Sequence, residues 1–579
     1  MNTAYNFFDN PDYSLHKQYE ALRAYFYEKL PAREVAKRFG YTESSLYCFA
    51  SAFKQLNIKQ LEKRFFASST VGRPARECGS NTDQLIIALR KKYLSVSDIK
   101  AILDTQKHDI SETYIYKLLN REGFARLPRR SKSARIETLS QAKVSAPTAA
   151  LLGNSDEIFN TMNVGILCFI PYIINLGVDK IIANSLFPET KTIPKISAIL
   201  SFVALKLSNV RRYTADDLWC MDRGSGFFAG LNVLPKRAWF SSYSHRITRK
   251  MNMSFLKELY KLWQKTGLLA DTANLDFVAV PYWGEGSHLE NNWSGTRHKA
   301  LSSILAAIAQ DPDTGIITYG DTTVRHDNES DIVLEFLDFY KESGNKNVNY
   351  IVFDSKFTTY ENLRKLDDNK IKFITIRRRG KNIVDELNQL PTGLWKKVRV
   401  QASGNKTREL NIVDQTILLK GYNKKIRQIA ITGNGKIKPA LIITNDFDLG
   451  VEQILRKYAR RWLIEKSISE QTHFFHLNKV SSSMVIKVDF DLTMSILAYN
   501  LYRVLANDLI GYEHNTPQTL YDKFINNNGS IEIDSGSALV SMKKKRNLPE
   551  LLTAMKRFEK IKVPWLSSRA LTITAASNT

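Results

Sequence analysis

The stretch NLDFVAVPYW, Asn274–Trp283, is a run of apolar, β-branched and aromatic residues and is predicted to form a buried strand. It carries one charged residue, Asp276, between Leu275 and Phe277. A carboxylate in a buried strand is costly unless it pairs with a cation or binds a metal ion. The stretch therefore predicts a sheet with a charged site on it, and Asp271, just upstream, is a rival for the same role.

The segments that follow predict the rest of this sheet. We expect two strands joined by a turn, at 299–310 and 315–324, and then an amphipathic helix at 330–344. A strand at 349–354, a short helix at 358–369 and a strand at 371–379 follow. This order, in which three strands that can pair as a meander precede helix, strand, helix and strand, is that of an RNase H-like domain. An inserted β-rich subdomain is predicted at about 380–438, and a further strand and a long helix at 449–477 follow it.

Three carboxylates stand at informative points of this layout. Asp276 lies in the first strand, Asp354 ends the fourth, and Glu465 lies on the long helix. The first and fourth strands of such a sheet are neighbours, so the two aspartates are expected to meet, with the glutamate above them. Three hard oxygen ligands suit Mg²⁺ or Mn²⁺, and two such ions can drive phosphoryl transfer on DNA. The alternatives are that Asp354 caps the next helix and that Glu465 pairs only with Arg461.

The long helix contains the segment KYARRWLIEKSISEQTHFFHL, Lys457–Leu477. At about 100° per residue, Tyr458, Arg461, Glu465 and Thr472 fall within roughly 60° on one face. Taken alone, this face fits a solvated surface with a weak Arg–Glu pair. Beside two aspartates on adjacent strands, it fits an active site.

Three consecutive arginines, Arg377, Arg378 and Arg379, end the last strand of the predicted core. Beside a metal site they are expected to contact phosphate, and a solvated strand end is the alternative.

The loop ENNWSGTRHK, Glu290–Lys299, places Trp293 near Arg297 and Lys299. An aromatic ring beside cations suits a frayed nucleotide, although a structural turn explains the loop equally well.

The chain of 579 residues carries 83 Lys and Arg against 58 Asp and Glu, a formal net charge of +25. This excess favours a polyanionic partner, double-stranded DNA first. The four cysteines are far apart, which signals neither a zinc site nor a disulfide framework and fits a cytoplasmic, nucleoid-associated setting. The most apolar stretch, 164–178, is shorter than a membrane span and is predicted to be a buried helix. The first residues do not resemble a signal peptide, so no membrane partner is expected.

The first 68 residues predict a helix-turn-helix unit for DNA binding. A helical pattern, Gly40 as a turn residue and Thr42 as an N-cap outline two helices, and the second would present Ser44 and Tyr47 to a major groove. A plain helical hairpin is the alternative. A second such unit and a basic linker are predicted at 69–135, with Tyr114 and Lys117 as its DNA contacts.

The fold class expected is thus multidomain, mainly α plus α/β. Helical units at 1–68 and 69–135 precede a helical connecting region at 136–269, a catalytic core at 270–506 and a basic C-terminal region at 507–579.

The motifs LDFVAVPYWG, YIVFDSKF and FITIRRRG, together with Tyr458, Arg461 and Glu465, resemble the DDE transposases of bacterial insertion sequences, in the branch with a Tyr-x2-Arg-x3-Glu-x6-Lys signature. The resemblance covers about 271–506. It implies a catalytic, metal-binding triad of Asp276, Asp354 and Glu465, with Arg461 and Tyr458 contacting the DNA.

The chain departs from this pattern at one position. The signature lysine falls at Thr472, and we expect His473 or Lys479 to take over its DNA contact.

The function predicted is a transposase that binds insertion-sequence ends and cuts and joins DNA with two Mg²⁺ or Mn²⁺ ions, as a homodimer in a synaptic complex. Two alternatives stay open: an inactive DNA-binding regulator derived from a transposase, and a nuclease that cuts without joining.

Overall fold

The computed structural model of the chain divides into two compact units, Met1–Lys143 and Val144–Thr579. The residues described are 7–8, 11–66, 81–91, 94–105, 108, 110–124, 149–153, 155–211, 217–282, 289–294, 298–344, 348–378, 380–401, 407–433, 439–479 and 484–577.

The first unit is helical where it is described. Its helices are α1 Ser14–Phe26, α2 Ala32–Phe39, α3 Glu43–Lys54, α4 Ile58–Phe65, α5 Asn81–Lys91, α6 Val96–Thr105 and α7 Glu112–Arg121. Between α2 and α3, Gly40 has a φ of 63° and Thr42 caps α3 by accepting from the Ser45 amide, as predicted. Two separate apolar clusters hold α1–α3 and α5–α7. The predicted helices are present, while their DNA contacts stay a prediction.

The second unit is built on a large mixed sheet. Its strands are β2 Thr272–Pro281, β3 Asn291–Ser294, β4 Lys299–Gln310, β5 Ile317–Val324, β6 Tyr350–Phe353, β7 Lys372–Ile376, β8 Lys396–Gln401, β9 Thr407–Leu418, β10 Lys425–Thr432 and β11 Ala440–Thr444. β2, β4 and β5 pair antiparallel as the predicted meander, and β6 and β7 then add in parallel to β2. This arrangement brings the end of β6 beside the middle of β2.

The segment 380–438 is rich in strands where it is described, in agreement with the predicted β-rich insertion. Its strands β8–β10 extend the same sheet, because β11 pairs antiparallel with both β7 and β10. The backbone groups on the free edge of β7 are thereby paired, which removes an exposed sheet edge. Among the described residues the sheet has ten strands, with β5 pairing β4 beside the main order β3-β4-β2-β6-β7-β11-β10-β9-β8.

Helices before, between and after the strands cover this sheet. They are α8 Phe169–Leu176, α9 Val178–Asn184, α10 Lys195–Leu207, α11 Asp217–Cys220, α12 Arg223–Phe228, α13 Arg237–Ser244, α14 Arg249–Lys265, α15 Ile332–Glu342, α16 Tyr360–Asp368, α17 Lys381–Asn388, α18 Val451–Ala459, α19 Trp462–His473, α20 Val485–Asp508, α21 Pro517–Leu520 and α22 Leu548–Met555. The longest of them, α20, packs on β5, where a Cβ at Gly320 would lie 2.6 Å from Ile496 Cδ1. Glycine therefore permits this close approach.

The stretch predicted as a buried helix, 164–178, is indeed buried, as a short 3₁₀ turn followed by α8. In the part of the chain that the structure describes, no single helix is long and apolar enough to cross a membrane. The pair Val164–Leu176 and Val178–Asn184, bent by 76°, meets that criterion only when taken together.

A smaller sheet joins distant parts of the second unit. Its strands are β1 Glu157–Thr161, β12 Gly529–Ile533, β13 Ser537–Met542, β14 Ile561–Val563 and β15 Arg569–Ala575. β1 pairs antiparallel with β12, so the region 136–269 contains a strand where only helices were predicted. The apolar core is continuous from Phe159 to Leu571.

Candidate active site

The two predicted aspartates lie at the same level on two neighbouring strands, Asp276 within β2 and Asp354 directly after β6. β2 and β6 pair in parallel with Asn274 opposite Val352, and Asp276 and Asp354 each come two positions later. Behind them the rings of Phe277 and Phe357 stack with their centroids 3.7 Å apart. The register of the sheet therefore places the two aspartates side by side on adjacent strands.

Asp354 also has a local structural role. It follows β6 directly and accepts a hydrogen bond from the Ser355 amide at 2.5 Å, which opens the short 3₁₀ turn Ser355–Phe357. The next helix, α16, is capped by Thr359 instead. Asp354 thus caps this turn and is also one of the three candidate carboxylates.

The long helix predicted at 449–477 is broken into α18 and α19 at Arg460 and Arg461. Past the break, Leu463 donates to the Arg460 carbonyl and Ile464 to the Arg461 carbonyl, which are the tighter i−3 bonds. The Arg460 carbonyl also accepts from the side-chain amide of Asn274, at 2.9 Å. A side chain inserted in this way interrupts the regular i−4 ladder, which is a recognised cause of a helix break.

The break places Arg461 between two of the three carboxylates. Its Nη1 donates to Asp276 Oδ2 at 2.6 Å, and its Nη2 donates to Glu465 Oε1 at 3.2 Å. The Arg461 side chain is 8% exposed and that of Asp276 18%, whereas Glu465 is 53% exposed. The predicted Arg461–Glu465 pair exists, and it is part of a larger group.

The electrostatics of the group confirm that its members influence one another. Burial raises the pKa of Asp276 above its ordinary value, Arg461 opposes this, and the nearby charges of Glu465 and Asp354 add to it. Burial acts to lower the pKa of Arg461, but the surrounding anions outweigh it and raise that pKa. The site concentrates negative charge around one buried cation.

Tyr458 lies beside this cation. It is half-buried, and its ring centroid is 5.9 Å from the Arg461 guanidinium carbon. Burial raises the pKa of the Tyr458 hydroxyl. The ring therefore packs beside the Arg461 guanidinium.

The three carboxylates have the donor chemistry that a hard cation requires. Within the described residues, however, no three or more His, Cys, Asp or Glu side chains are grouped so that they could hold a metal ion. The Arg461 guanidinium stands between two of the donors. Arg461 thus neutralises part of the negative charge of the three carboxylates.

Of the basic residues predicted at the strand end, Arg377 is half-buried and donates from Nη1 to Gln428 Oε1 at 2.6 Å, so it braces the sheet. Arg378 and Lys299 are exposed. Arg379 and Arg297 lie outside the described residues.

The residues around the missing lysine lie near the end of α19. Thr472 bonds back to the Ser469 carbonyl at 2.9 Å, and His473 Nδ1 lies 2.8 Å from the same oxygen. His473 and Lys479 are both exposed. No DNA contact is established for either.

In the first unit, Ser44 and Tyr47 are exposed on α3, with the Tyr47 ring edge-on to Tyr25. Lys117 is exposed on α7. Tyr114 on the same helix donates its hydroxyl hydrogen bond to the buried Asp83 at 2.9 Å.

Sequence reasoning missed Asn274 and Arg460. Asn274 alternates with Asp276 on one face of β2, and this period-2 spacing of two polar residues in an apolar strand was the available signal.

The family model described as "Transposase DDE domain" matches residues 283–501 of the chain. The match contains Asp354 and Glu465 and begins just after Asp276. No curated protein matches the chain.

A cryo-EM structure of a piggyBac transposase synaptic complex with hairpin DNA is similar at a TM-score of 0.32 and 9% identity, over 60% of this chain and 78% of that one. A TM-score this low supports no inference about function, so the family-model match is the more informative finding.

Proposed function

We propose, from the premise that this chain carries the DDE domain of the transposases, that it binds transposon ends and catalyses cleavage and strand transfer of DNA. The observation that carries the proposal is the meeting of Asp276, in the middle of β2, with Glu465 and the buried Arg461, beside the strand β6 that Asp354 follows. Such a convergence of carboxylates is typical of metal-assisted phosphoryl transfer.

The order of the strands supports an RNase H-like core for this chemistry. An antiparallel meander, β2, β4 and β5, followed by the parallel strands β6 and β7, agrees with the order expected for that domain. The first and fourth of these strands carry the two aspartates.

We propose Asp276, Asp354 and Glu465 as the residues that would hold Mg²⁺ or Mn²⁺, two ions in the predicted form. When bound, divalent cations supply charge neutralisation and a more acidic nucleophile at the scissile phosphate. Arg461 would then have to move away from Asp276 and Glu465. In its new position it could contact a DNA phosphate. Its present contacts would thus substitute for the cation until DNA is bound.

The basic character of the chain supports DNA as its partner. Exposed residues predicted to contact it lie on both units; they are Ser44, Tyr47 and Lys117 on the first and Lys299, Arg378, His473 and Lys479 on the second. A homodimer in a synaptic complex is the assembly proposed.

The test uses the full chain with Mg²⁺ and DNA that carries the inverted repeats flanking its coding region. We expect cleaved and joined products with the wild type. Asp354→Asn, which retains size and the Ser355 contact, should lose both while still binding the ends.

Three other outcomes would redirect the proposal. Cleavage without joined products favours a nuclease, and binding without cleavage by the wild type favours an inactive regulator. Products from Asp354→Asn equal to those of the wild type would refute the proposed site.

A further inference from the structure

We propose that Asn274 is a positioning residue that aims Arg461 and Glu465 at the active site by holding the break between α18 and α19. The inference rests on the proposed function, because it concerns how that same site is built. Asn274 itself touches none of the proposed reacting groups.

The break is where the regular hydrogen-bond ladder of the long helix is interrupted. In a continuous α-helix, the Arg460 carbonyl would accept from the amide of residue 464. Here Ile464 donates to Arg461 instead, and the Arg460 carbonyl accepts from Leu463 and from the Asn274 side chain. Glu465 lies in the first turn of α19, so its position relative to the sheet depends on the hydrogen bonds at this junction.

Alternate residues of β2 contact successive residues of the helix. Thr272 accepts from Lys457 Nζ at 2.9 Å. Asn274 donates to the Arg460 carbonyl at 2.9 Å, and Asp276 accepts from Arg461 at 2.6 Å. Alternate residues share one face of a strand, so a single face of β2 sets the position of the helix along its length.

The side chain of Arg460 holds the junction from the opposite direction. Its Nη2 donates to the Pro312 carbonyl at 2.7 Å, and its Nη1 lies 2.5 Å from Asp313 Oδ1, both in the turn between β4 and β5. Two adjacent arginines therefore point to different anchors, Arg460 to a turn and Arg461 to the carboxylates.

Stability alone does not account for Asn274. Its side chain is fully buried, and within the described residues its Oδ1 has no hydrogen-bond partner. A buried polar atom without a partner is destabilising, and leucine would remove it, while the Arg460 carbonyl would keep the Leu463 amide as a donor. Leucine at this position is thus expected to retain the fold while releasing the Arg460 carbonyl.

The chain offers a matched control beside the smaller sheet, just before β12. Asn527 is also buried and donates from Nδ2 to a main-chain carbonyl, that of Lys543, at 3.0 Å, and its Oδ1 has no partner among the described residues. Asn527→Leu therefore removes a bond of the same kind away from the candidate site.

The experiment compares wild type, Asn274→Leu and Asn527→Leu as full chains. It measures thermal unfolding, amide hydrogen exchange of the peptide spanning 460–466, and the rate of Mn²⁺-dependent cleavage of DNA with the flanking inverted repeats. We expect Asn274→Leu to unfold at the temperature of Asn527→Leu, to exchange faster at 460–466, and to cleave about 100-fold more slowly, since a displacement of roughly 1 Å costs that much in rate.

A second variant covers the case in which Asn274→Leu does not fold. Arg460→Ala removes the half-exposed anchor to Asp313 and is expected to loosen the same peptide and slow cleavage about tenfold. Unchanged exchange at 460–466, or unchanged cleavage in a loosened variant, overturns the positioning role. If the wild type cleaves no DNA, the proposed function fails first; if it cleaves and both variants cleave as fast, only the positioning role is lost.

Discussion

Arg461 donates from Nη1 to Asp276 Oδ2 at 2.6 Å, joining residues 185 positions apart in the chain. Burial alone would favour the protonated form of Asp276, and the guanidinium opposes it. The charge balance of the site therefore depends on one side chain, and removing it has a measurable effect.

Arg461→Ala leaves Asp276 and Glu465 without their cation. Breaking a fully buried pair costs about 3–5 kcal/mol, and because these carboxylates are partly exposed we expect a loss of about 2 kcal/mol in the free energy of unfolding without divalent cations. Mg²⁺ should then raise the melting temperature of the variant more than that of the wild type. Arg461→Lys, which retains the charge, is the control. Equal Mg²⁺ shifts in all three proteins would contradict the arrangement.

Glu470, on the same helix as Glu465, is expected to make stability depend on pH. Burial raises the pKa of its carboxyl to about 7, with Lys466 and Arg503 acting against this. The folded chain then binds the proton more tightly than the unfolded chain, so the free energy of unfolding falls as pH rises from about 4.5 to about 7, by at most roughly 3 kcal/mol.

Glu470→Gln, which is neutral at every pH, should abolish this fall. Urea unfolding at pH 5 and pH 8 is the measurement. The variant should exceed the wild type in stability by more at pH 8 than at pH 5, and an equal difference at both values would disprove the assignment.

The ion pair between Lys206 on α10 and Asp491 on α20 is buried, with a separation of 2.8 Å and side chains 4% and 1% exposed. Lys206→Met should destabilise the chain by about 3–5 kcal/mol, because it leaves a buried carboxylate without its cation. Adding Asp491→Leu should restore most of that loss. Denaturant unfolding of the single and double variants checks this, and a double variant less stable than the single one would contradict it.

Two residues on α7 separate a structural role from a DNA-binding role. Tyr114→Phe removes the bond to the buried Asp83 and should cost about 1–3 kcal/mol while leaving DNA affinity unchanged. Lys117→Ala should leave stability unchanged and reduce the salt slope of DNA binding by about 1. Unfolding and salt-dependent binding of both variants test the distinction. A binding loss in Tyr114→Phe at unchanged stability would reverse these roles.

The local parts of the fold could be predicted because their patterns are local. The apolar run of β4 predicted its limits, Lys299–Gln310, and the strand order followed from the alternation of strands and helices. The three carboxylates could be found for the same reason, since each stands at the end of, or beside, a patterned element.

Other features depend on residues far apart in the chain. Nothing near Arg460 and Arg461 disfavours a helix, and the break depends on Asn274, 186 positions away. Likewise, β1 is too short to be predicted from its own sequence, and its partner strand β12 lies far along the chain. The role of Arg377 depends on Gln428, which the sequence does not mark as its neighbour.

The pairing of β15 with β13 and β14 has a consequence for synthesis of the protein. The two apolar clusters of the first unit are complete within its own residues, so that unit can fold while the ribosome is still translating. The second unit closes only after Arg569–Ala575 has emerged, because its continuous core includes Leu571. A chain that terminates before β15 therefore leaves apolar strands uncovered, and cellular proteases degrade it. Chains that include β15 are expected to accumulate instead.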